Sequence, residues 1–280
     1  MPELPEVETI RRSLAPVVER RAIARIEVLD GRWCRPLAPV ALEEAVAGRT
    51  IEALSRRGKY LCFELSGELT LACHLRMTGN FLYDADPSVP YQRAVMRLDD
   101  GHELRYADVR RFGTAQLLAG GEEAERFFAS RLGVEPLGGE LDGRLLRELA
   151  RGRQAPVKSF LLDQRHVAGI GNIYADEALF RAGVHPLRPA GTLRPVQYEA
   201  LSAAIRDSLE AGLEAGGATI DDFRHPDGLY GSFQDRFQVH RRGGEPCLRC
   251  GREIRRFTVG GRGTYACEGC QPRPRRKVRR

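Results

Sequence analysis

The chain has 280 residues, of which 42% are hydrophobic and 29% are charged. This composition is typical of a globular protein and excludes a largely disordered chain. No stretch approaches the roughly 18 consecutive apolar residues of a membrane span. The first ten residues carry three acidic side chains and no basic one, unlike a secretory signal. We therefore expect a cytoplasmic protein.

The net charge of +6 comes from the C-terminal end of the chain. The last ten residues hold six basic residues and no acidic one, and residues 240–270 hold seven arginines against three glutamates. A basic segment of this kind favours a polyanionic partner, and nucleic acid is the usual one. A basic tail that serves only solubility is the alternative.

The hydrophobic pattern changes along the chain from strands to helices. Residues 5–20 have apolar side chains every three or four positions and a proline at the start, which predicts a helix. Short alternating runs from 23 to 118 predict many strands, and these indicate a β-sandwich or barrel. The Gly- and Pro-rich stretch 131–143 is predicted to be a linker. Helical patterns follow at about 142–152, 157–164, 172–182 and 195–215, and a long loop occupies 216–238.

Seven cysteines fall into two groups. Cys34, Cys62 and Cys73 are scattered in the first third of the chain and are interpreted as buried thiols. The other four form two Cys-x2-Cys pairs that are separated by sixteen residues: Cys247, Cys250, Cys267 and Cys270. Four thiolates at this spacing match a tetrahedral, structural Zn²⁺ site. A pair of disulfides, the alternative, would need an oxidising compartment.

The first residues carry a candidate nucleophile. If the initiator methionine is removed, Pro2 exposes a secondary amine with a pKa of roughly 8, whose neutral form can attack a carbonyl-type carbon. Glu3 and Glu6 follow, and a carboxylate beside an amine can move protons to a leaving group or to a sugar oxygen. The alternative is that acids in a first helical turn only favour the helix dipole.

Two further segments suggest contacts with nucleic acid. The turn at 169–171 separates two helices, and the amides at the start of the second helix, at Asn172, would face an anion. A plain turn between helices is the alternative. Met77, Arg110 and Phe112 follow strands, and exposed side chains of these types are suitable wedges between stacked bases. Alternatively, Met77 and Phe112 lie in the core and Arg110 is solvated.

Seven stretches together resemble the bacterial formamidopyrimidine-DNA glycosylase family, which also contains endonuclease VIII. In chain order they are MPELPEVETIRR, GKYL at 58–61, HLRMTG at 74–79, DVRRFG at 108–113, GIGNIYADEALF at 169–180, GEPC at 244–247 and the four-cysteine finger. They span the whole chain, so their joint occurrence is specific. Leu4 resembles the purine-specific branch, since the endonuclease VIII branch typically has glycine at that position.

The resemblance implies a role for each matching residue. Pro2 would be the nucleophile that forms a Schiff base with C1′ of the damaged nucleotide, Glu3 the general acid/base and Glu6 a supporting carboxylate. Lys59 would hold the phosphate beside the lesion and assist catalysis. Arg110 would face the orphaned cytosine. The implied DNA contacts are His74, Met77, Arg110, Phe112, Lys158, Asn172 and Arg262.

The resemblance also implies an α+β fold. It consists of an N-terminal catalytic helix and β-sandwich at 1–130, a linker at 131–143, a helical DNA-binding domain at 144–239, a zinc-finger β-hairpin at 240–270 and a disordered basic tail at 271–280. The helical domain would contain a helix–two-turns–helix motif and, at about 216–238, a loop that covers the lesion. DNA would lie in a positive cleft between the lobes.

The implied activity is base-excision repair. The protein, a monomer with one structural Zn²⁺, would remove 8-oxoguanine and formamidopyrimidines from double-stranded DNA and then cleave the abasic site by β,δ-elimination. Two alternatives stay open: a preference for oxidised pyrimidines, and a zinc-stabilised binder of damaged DNA without catalysis. The family usually has VYGR before the GEPC stretch, whereas this chain has His240 in place of the tyrosine. A tyrosine contact with phosphate therefore has no matching residue here, although His240 can also donate a hydrogen bond.

Overall fold

A computed structural model describes residues 1–219, 226, 228 and 230–274. The chain divides into two compact units. Unit 1 comprises Met1–Arg131 together with Gly212–Gln234, and unit 2 comprises Leu132–Ala211 together with Asp235–Arg280. The predicted loop at 216–238 was assigned to the helical domain, but most of it belongs to unit 1. The reason is local: the Tyr83 N–H donates to the Pro226 carbonyl at 3.0 Å, and the Ala218 N–H donates to Glu6.

Helix α1 spans Leu4–Val18 and opens unit 1. Pro5 lies in its first turn, where a helix does not need the missing N–H. Its apolar residues recur every three or four positions and are fully buried: Val7, Ile10, Leu14 and Val18. The predicted helix at 5–20 is therefore present with slightly different ends.

Eight strands of unit 1 form two antiparallel sheets of four strands each. The first sheet contains, in spatial order, β1 (Ile23–Val28), β6 (Gln92–Leu98), β7 (Glu103–Asp108) and β5 (Gly79–Tyr83). The second contains β2 (Ile51–Arg57), β3 (Tyr60–Leu65), β4 (Leu69–His74) and β8 (Thr114–Ala119). Alternate residues of both sheets and one face of α1 share a single apolar core, in which the Phe63 and Phe81 rings lie 5.5 Å apart. The β-sandwich prediction is confirmed.

Two short helices of unit 1 have no counterpart in the sequence prediction. Helix α2 spans Pro39–Val46 and buries only Leu42 and Val46. Helix α3 spans Gly120–Ala129 and buries Phe128. Because these helices bury only two and one side chains, their sequences contain too few apolar positions to indicate a helical period.

Unit 2 is built from helices and one hairpin. The helices are α4 (Gly143–Ala150), α5 (Val157–Leu162), α6 (Asn172–Arg181) and α7 (Pro195–Glu214), whose last three residues lie in unit 1. The hairpin pairs β9 (Arg255–Val259) with β10 (Arg262–Ala266). A 3₁₀ turn spans Ala190–Thr192, and a second one, Phe233–Arg236, begins in unit 1 and ends in unit 2. All four predicted helices are present, and Asp142 caps α4 by accepting the Leu145 N–H at 2.7 Å.

The stretch predicted as a linker, 131–143, is part of the folded unit 2. The Gly133 N–H donates to the Gln164 carbonyl at 2.8 Å, and the Ala168 N–H donates to the Val134 carbonyl at 2.9 Å. A Cβ atom at Gly133 would lie 2.4 Å from the His166 carbonyl oxygen. Gly133 therefore allows close packing rather than flexibility. The prediction of a linker at 131–143 is wrong, because the structure places this stretch within unit 2.

The first residue of the stretch predicted to be a disordered tail, 271–280, is part of the folded unit 2. Gln271 is fully buried, and its side chain accepts the Cys267 N–H at 3.1 Å and donates to the Val184 carbonyl at 2.9 Å. Residues 275–280 lie outside the described residues, as do 220–225, 227 and 229 of the predicted lesion-covering loop. Among the described residues, no helix is both long and apolar enough to cross a membrane.

Candidate functional site

Glu6 fixes the start of the chain to a second segment of unit 1. Its Oε2 accepts the Glu3 N–H at 2.8 Å, and its Oε1 accepts the Ala218 N–H at 2.8 Å. Glu3 and Glu6 are 2% and 1% exposed, and Pro2 is buried beside them in the sequence. Carboxylates are rarely this buried unless they are bonded. One carboxylate thus holds the first turn of α1 and the backbone at 218 together.

Gly217 allows this contact. Its φ of +80° lies in the left-handed region, and a Cβ atom would lie 2.9 Å from Cγ of Glu6. Both the backbone conformation and the space therefore disfavour any other residue. The glycine pair that ends α7 in the sequence also permits the close approach to the predicted supporting carboxylate.

Lys59 occupies the two-residue turn between β2 and β3 and is only 5% exposed. A chain of contacts holds this turn to α1. The Arg56 guanidinium donates to the Gly58 carbonyl at 2.8 Å, and its Nε lies 3.3 Å from Oε2 of Glu8. Burial raises the pKa of Glu8, but hydrogen bonds from Arg11 and the next residue outweigh this effect, so the pKa is lowered and the carboxylate stays charged. The predicted phosphate-binding lysine is therefore held in a defined place.

His74, at the end of β4, is a neutral hydrogen-bond donor. Burial, together with the charges of Arg76 and Lys59, lowers its pKa to about 3. Its Nδ1 accepts the Arg76 N–H at 3.0 Å, so the proton of the neutral ring lies on Nε2. The Tyr60 ring contacts the imidazole edge-on at 4.8 Å. A fixed Nε2–H suits the phosphate contact that the sequence predicts.

The three predicted wedge residues lie on two loops that are bonded to each other. Arg110 and Phe112 belong to the wedge loop (residues 109–113) and are exposed, with the Arg110 guanidinium 4.7 Å from the Phe112 ring centre. Met77 is half-buried in the preceding loop, next to Thr78. The Thr78 hydroxyl accepts the Arg110 N–H at 3.1 Å and donates to Asp108. Phe112 is therefore not a core residue, and the two loops that carry the three residues are held together through Thr78.

In unit 2, the turn between α5 and α6 is held by Gln164. Its amide nitrogen donates to the Ile170 carbonyl at 2.8 Å, and its amide oxygen accepts the Gly169 N–H at 2.9 Å. Asn172 follows at the first position of α6, and its Nδ2 donates to the Gly263 carbonyl at 3.0 Å. An amide nitrogen carries two N–H groups, so this bond still permits a second one to an anion. The anion site at the start of α6 stays a prediction.

Lys158 is fully buried and cannot reach DNA directly. Its Nζ lies 2.7 Å from Oδ1 of Asp176 and donates to the Gly263 carbonyl and to the Thr264 hydroxyl, both at 2.9 Å. These partners match the three N–H groups of an ammonium. The structure corrects the predicted DNA contact: Lys158 positions the end of the zinc hairpin, where the exposed Arg262 begins β10.

Two buried carboxylates of α6 organise the same region. Asp176 also pairs with His240, whose Nδ1 lies 2.9 Å from Oδ2, and His240 is only 5% exposed. Glu177 accepts the backbone N–H groups of residues 238, 239 and 240 at 2.9–3.0 Å. Burial raises the pKa of Glu177 against the effect of these bonds. His240 is thus a structural partner of α6 in this chain.

The four cysteines of the C-terminal finger fit one zinc ion. Their sulfur atoms all lie within 4.8 Å of one another, with Cys247 and Cys270 at 3.9 Å and Cys250 and Cys267 at 3.4 Å. Zinc–thiolate bonds of about 2.3 Å in a tetrahedron give separations of this size.

Comparisons with known proteins agree with this architecture. Three family models match: the formamidopyrimidine-DNA glycosylase N-terminal domain at 1–115, its H2TH domain at 132–224, and the zinc finger found in FPG and IleRS at 244–273. The formamidopyrimidine-DNA glycosylase of Symbiobacterium thermophilum is 46% identical over 98% of this chain and 90% of its own length. That of Bacillus subtilis is 42% identical over 97% of this chain and 99% of its own length.

The solved structures that match include complexes with DNA. A Lactococcus lactis FPG mutant bound to Fapy-dG-containing DNA has a TM-score of 0.91 at 36% identity, covering 97% of this chain and 100% of that chain. The Lactococcus lactis Fpg bound to abasic-site DNA has a TM-score of 0.90 with the same identity and coverage.

The chain belongs to the formamidopyrimidine-DNA glycosylase family.

The residues that match the family's motifs are divided between the two units. Unit 1 contains Pro2, Glu3, Glu6, Lys59, His74, Met77, Arg110 and Phe112, and unit 2 contains Lys158, Asn172, Arg262 and the four cysteines. The sequence did not indicate which residues hold these site residues in place. They are Glu8, Arg56, Asp108, Gln164, Asp176 and Glu177. The acidic residues 176 and 177 could have been noticed, because two adjacent carboxylates are unusual in the middle of the largely apolar helix α6.

Proposed function

We propose that this protein is a base-excision repair enzyme that removes 8-oxoguanine and formamidopyrimidines from double-stranded DNA and then cleaves the strand. The observation that carries the proposal is the fixed N-terminus. Chain ends are usually poorly ordered unless they are tied down. Here the buried Glu6 carboxylate bonds to both Glu3 and Ala218, so Pro2 is presented by a rigid helix start. Membership in the family supports the substrate class.

The proposed chemistry begins after removal of Met1. The neutral secondary amine of Pro2 attacks C1′ as the bond between C1′ and the damaged base breaks, and the base leaves with the proton that the amine loses. Glu3 then donates a proton to O4′ as the bond between C1′ and O4′ breaks, which opens the sugar ring and gives an iminium. The resulting iminium draws electrons from C2′, so a C2′ proton is lost and the 3′ phosphate leaves. A second elimination releases the 5′ phosphate. These steps make the enzyme a bifunctional glycosylase and AP lyase.

The remaining residues serve to expose the damaged nucleotide. Chemistry at C1′ within a duplex requires the nucleotide to be flipped out, which costs a few kcal/mol. Met77, Arg110 and Phe112 would fill the gap, while Lys59, His74, Asn172 and Arg262 would hold backbone phosphates. We expect a monomer that acts on chromosomal DNA in the cytoplasm.

The test compares wild type with Pro2→Gly on a labelled duplex that contains 8-oxoguanine opposite cytosine. Wild type should release the base and cut the strand, and Pro2→Gly should do so much more slowly while binding the duplex with similar affinity. Equal turnover by the two proteins would contradict the role of Pro2. Faster cleavage of a thymine-glycol duplex would favour an oxidised-pyrimidine enzyme, and binding without cleavage of either would favour a non-catalytic binder.

A further inference from the structure

Arg111 differs from the two residues that flank it because an ion pair anchors it to the first sheet. Its Nε donates to Oδ2 of Asp30 at 2.6 Å, and Asp30 is only 8% exposed at the end of β1. The hydrogen bond from Arg111 is the main cause that lowers the pKa of Asp30, so the carboxylate is charged at neutral pH. Arg110 and Phe112 on either side are exposed, and among the described residues neither of them forms such an ion pair with a carboxylate of the sheet.

The backbone of the wedge loop is strained at Arg111. Its φ of +59° lies in the left-handed region, which non-glycine residues adopt only when their surroundings impose it. Asp108 supplies part of this constraint, because Oδ1 accepts the Arg110 N–H at 3.2 Å and Oδ2 accepts the Gly113 N–H at 2.8 Å. The Asp30–Arg111 ion pair fixes the residue between these two bonds.

The loop also cannot relax toward the core. A Cβ atom at Gly113 would lie 1.7 Å from the hydroxyl of the buried Tyr106. Arg93 contacts both Asp108 and Asp30. Its Nε donates to the backbone carbonyl of Asp108 at 2.9 Å and lies 4.0 Å from Oδ2 of Asp30. Loss of the Asp30 carboxylate would therefore remove the ion pair of Arg111 and leave the segment that carries Arg110 and Phe112 held by the two Asp108 bonds at its ends.

We propose that Asp30, acting through Arg111, is a positioning residue that sets the enzyme's selectivity for the base opposite the lesion. This inference rests on the proposed function, in which Arg110 faces that base. A guanidinium only donates hydrogen bonds. Beside its amino group, the Watson–Crick edge of cytosine offers two adjacent acceptors, N3 and O2, whereas the edge of adenine offers one acceptor, N1. A guanidinium held in one place distinguishes the two bases, and one on a loose loop adapts to both.

The experiment uses Asp30→Ala, Arg111→Ala and the double variant. Asp100→Ala is the matched control. Like Asp30, Asp100 pairs with the Nε of an arginine, here Arg21 at 2.9 Å. Each of the two carboxylates also accepts the backbone N–H of the residue two positions further along the chain. The measurement is the single-turnover excision rate of 8-oxoguanine opposite cytosine and opposite adenine. A second measurement, strand cleavage at an abasic site in single-stranded DNA, reports the Pro2 chemistry without an opposite base.

Asp30→Ala should reduce the cytosine-to-adenine rate ratio roughly tenfold, the factor expected for one well-oriented base contact. Arg111→Ala and the double variant should give the same reduced ratio, because both residues act through one bond. Asp100→Ala should keep the wild-type ratio, and single-strand cleavage should be unchanged throughout. If Asp30→Ala does not fold, Asp30→Asn, which keeps the volume, should give an intermediate ratio.

The inference would be overturned if the Asp30 variants kept the wild-type cytosine-to-adenine rate ratio. It would also be overturned if the ratio in the double variant fell by the product of the two single reductions. A purely structural role would lower all rates, single-strand cleavage included, and leave the ratio intact. Failure of the proposed function is a distinct outcome, because wild type itself would then cut neither duplex.

Discussion

His74 should make the stability of the protein depend on pH in a way that can be worked out from its position. The unfolded chain protonates this ring near pH 6.5, whereas the folded protein keeps it neutral down to about pH 3. Between these values the unfolded state binds the additional proton, so the free energy of unfolding falls as the pH is lowered. Each pH unit below 6.5 lowers the free energy of unfolding by about 1.4 kcal/mol. A change from pH 6.5 to about 5 therefore lowers it by about 2 kcal/mol through His74 alone.

The assay is urea unfolding of wild type and His74→Gln between about pH 5 and 7. The fluorescence of Trp33, the single tryptophan, reports the transition, and this residue is buried in the same unit as His74. Glutamine does not titrate, and the other histidines contribute equally to both proteins. The stability difference between the two should therefore change by about 2 kcal/mol across this range, to the disadvantage of wild type at low pH. Parallel curves would refute the assignment of His74 as a buried neutral donor.

Four further outcomes follow from the contacts described above. Glu3→Gln should slow base removal about 10²- to 10⁴-fold in single-turnover assays, the usual contribution of a general acid or base, with little change in binding. Lys158→Met should lower the free energy of unfolding by about 3–5 kcal/mol, because it leaves the buried Asp176 carboxylate without its ammonium partner; a loss below about 1 kcal/mol in a denaturation experiment would contradict the buried pair. Cys250→Ser should lose zinc in a metal assay and DNA binding in an anisotropy assay together, and full binding without metal would contradict a structural site. Deletion of 275–280 should reduce the slope of log binding constant against log salt by up to about 4.5, since the segment has five basic residues and each lost phosphate contact lowers the slope by about 0.9; an unchanged slope would mean that this segment does not contact DNA.

The sequence predicted those features that depend on local pattern or on exact residue types. The spacing of four cysteines requires no knowledge of the fold, and helices α1, α4, α5, α6 and α7 have clear apolar periodicity. Helix α2 buries only two side chains, which is too few to give this signal. The family motifs located Pro2 and Lys59 for the same reason, since each lies within a distinctive run of residues.

The sequence did not reveal contacts between distant residues. The family resemblance implied a DNA contact for Lys158, whereas the structure shows that this lysine is fully buried. The sequence does not show that Lys158 pairs with Asp176, and this buried pair holds Lys158 where it contacts the zinc hairpin. Gly133 shows the same limit: a glycine is typical both of a flexible linker and of a close approach, and only the position of the His166 carbonyl distinguishes them.

Borohydride trapping tests the central claim most directly. The protein is incubated with a duplex that contains 8-oxoguanine opposite cytosine, reduced with borohydride, and digested so that the crosslinked peptide can be sequenced. We predict a covalent adduct at Pro2, with Met1 absent, since the Schiff base forms at the N-terminal amine. An adduct at Lys59, or no adduct while the duplex stays bound, would contradict an N-terminal proline nucleophile.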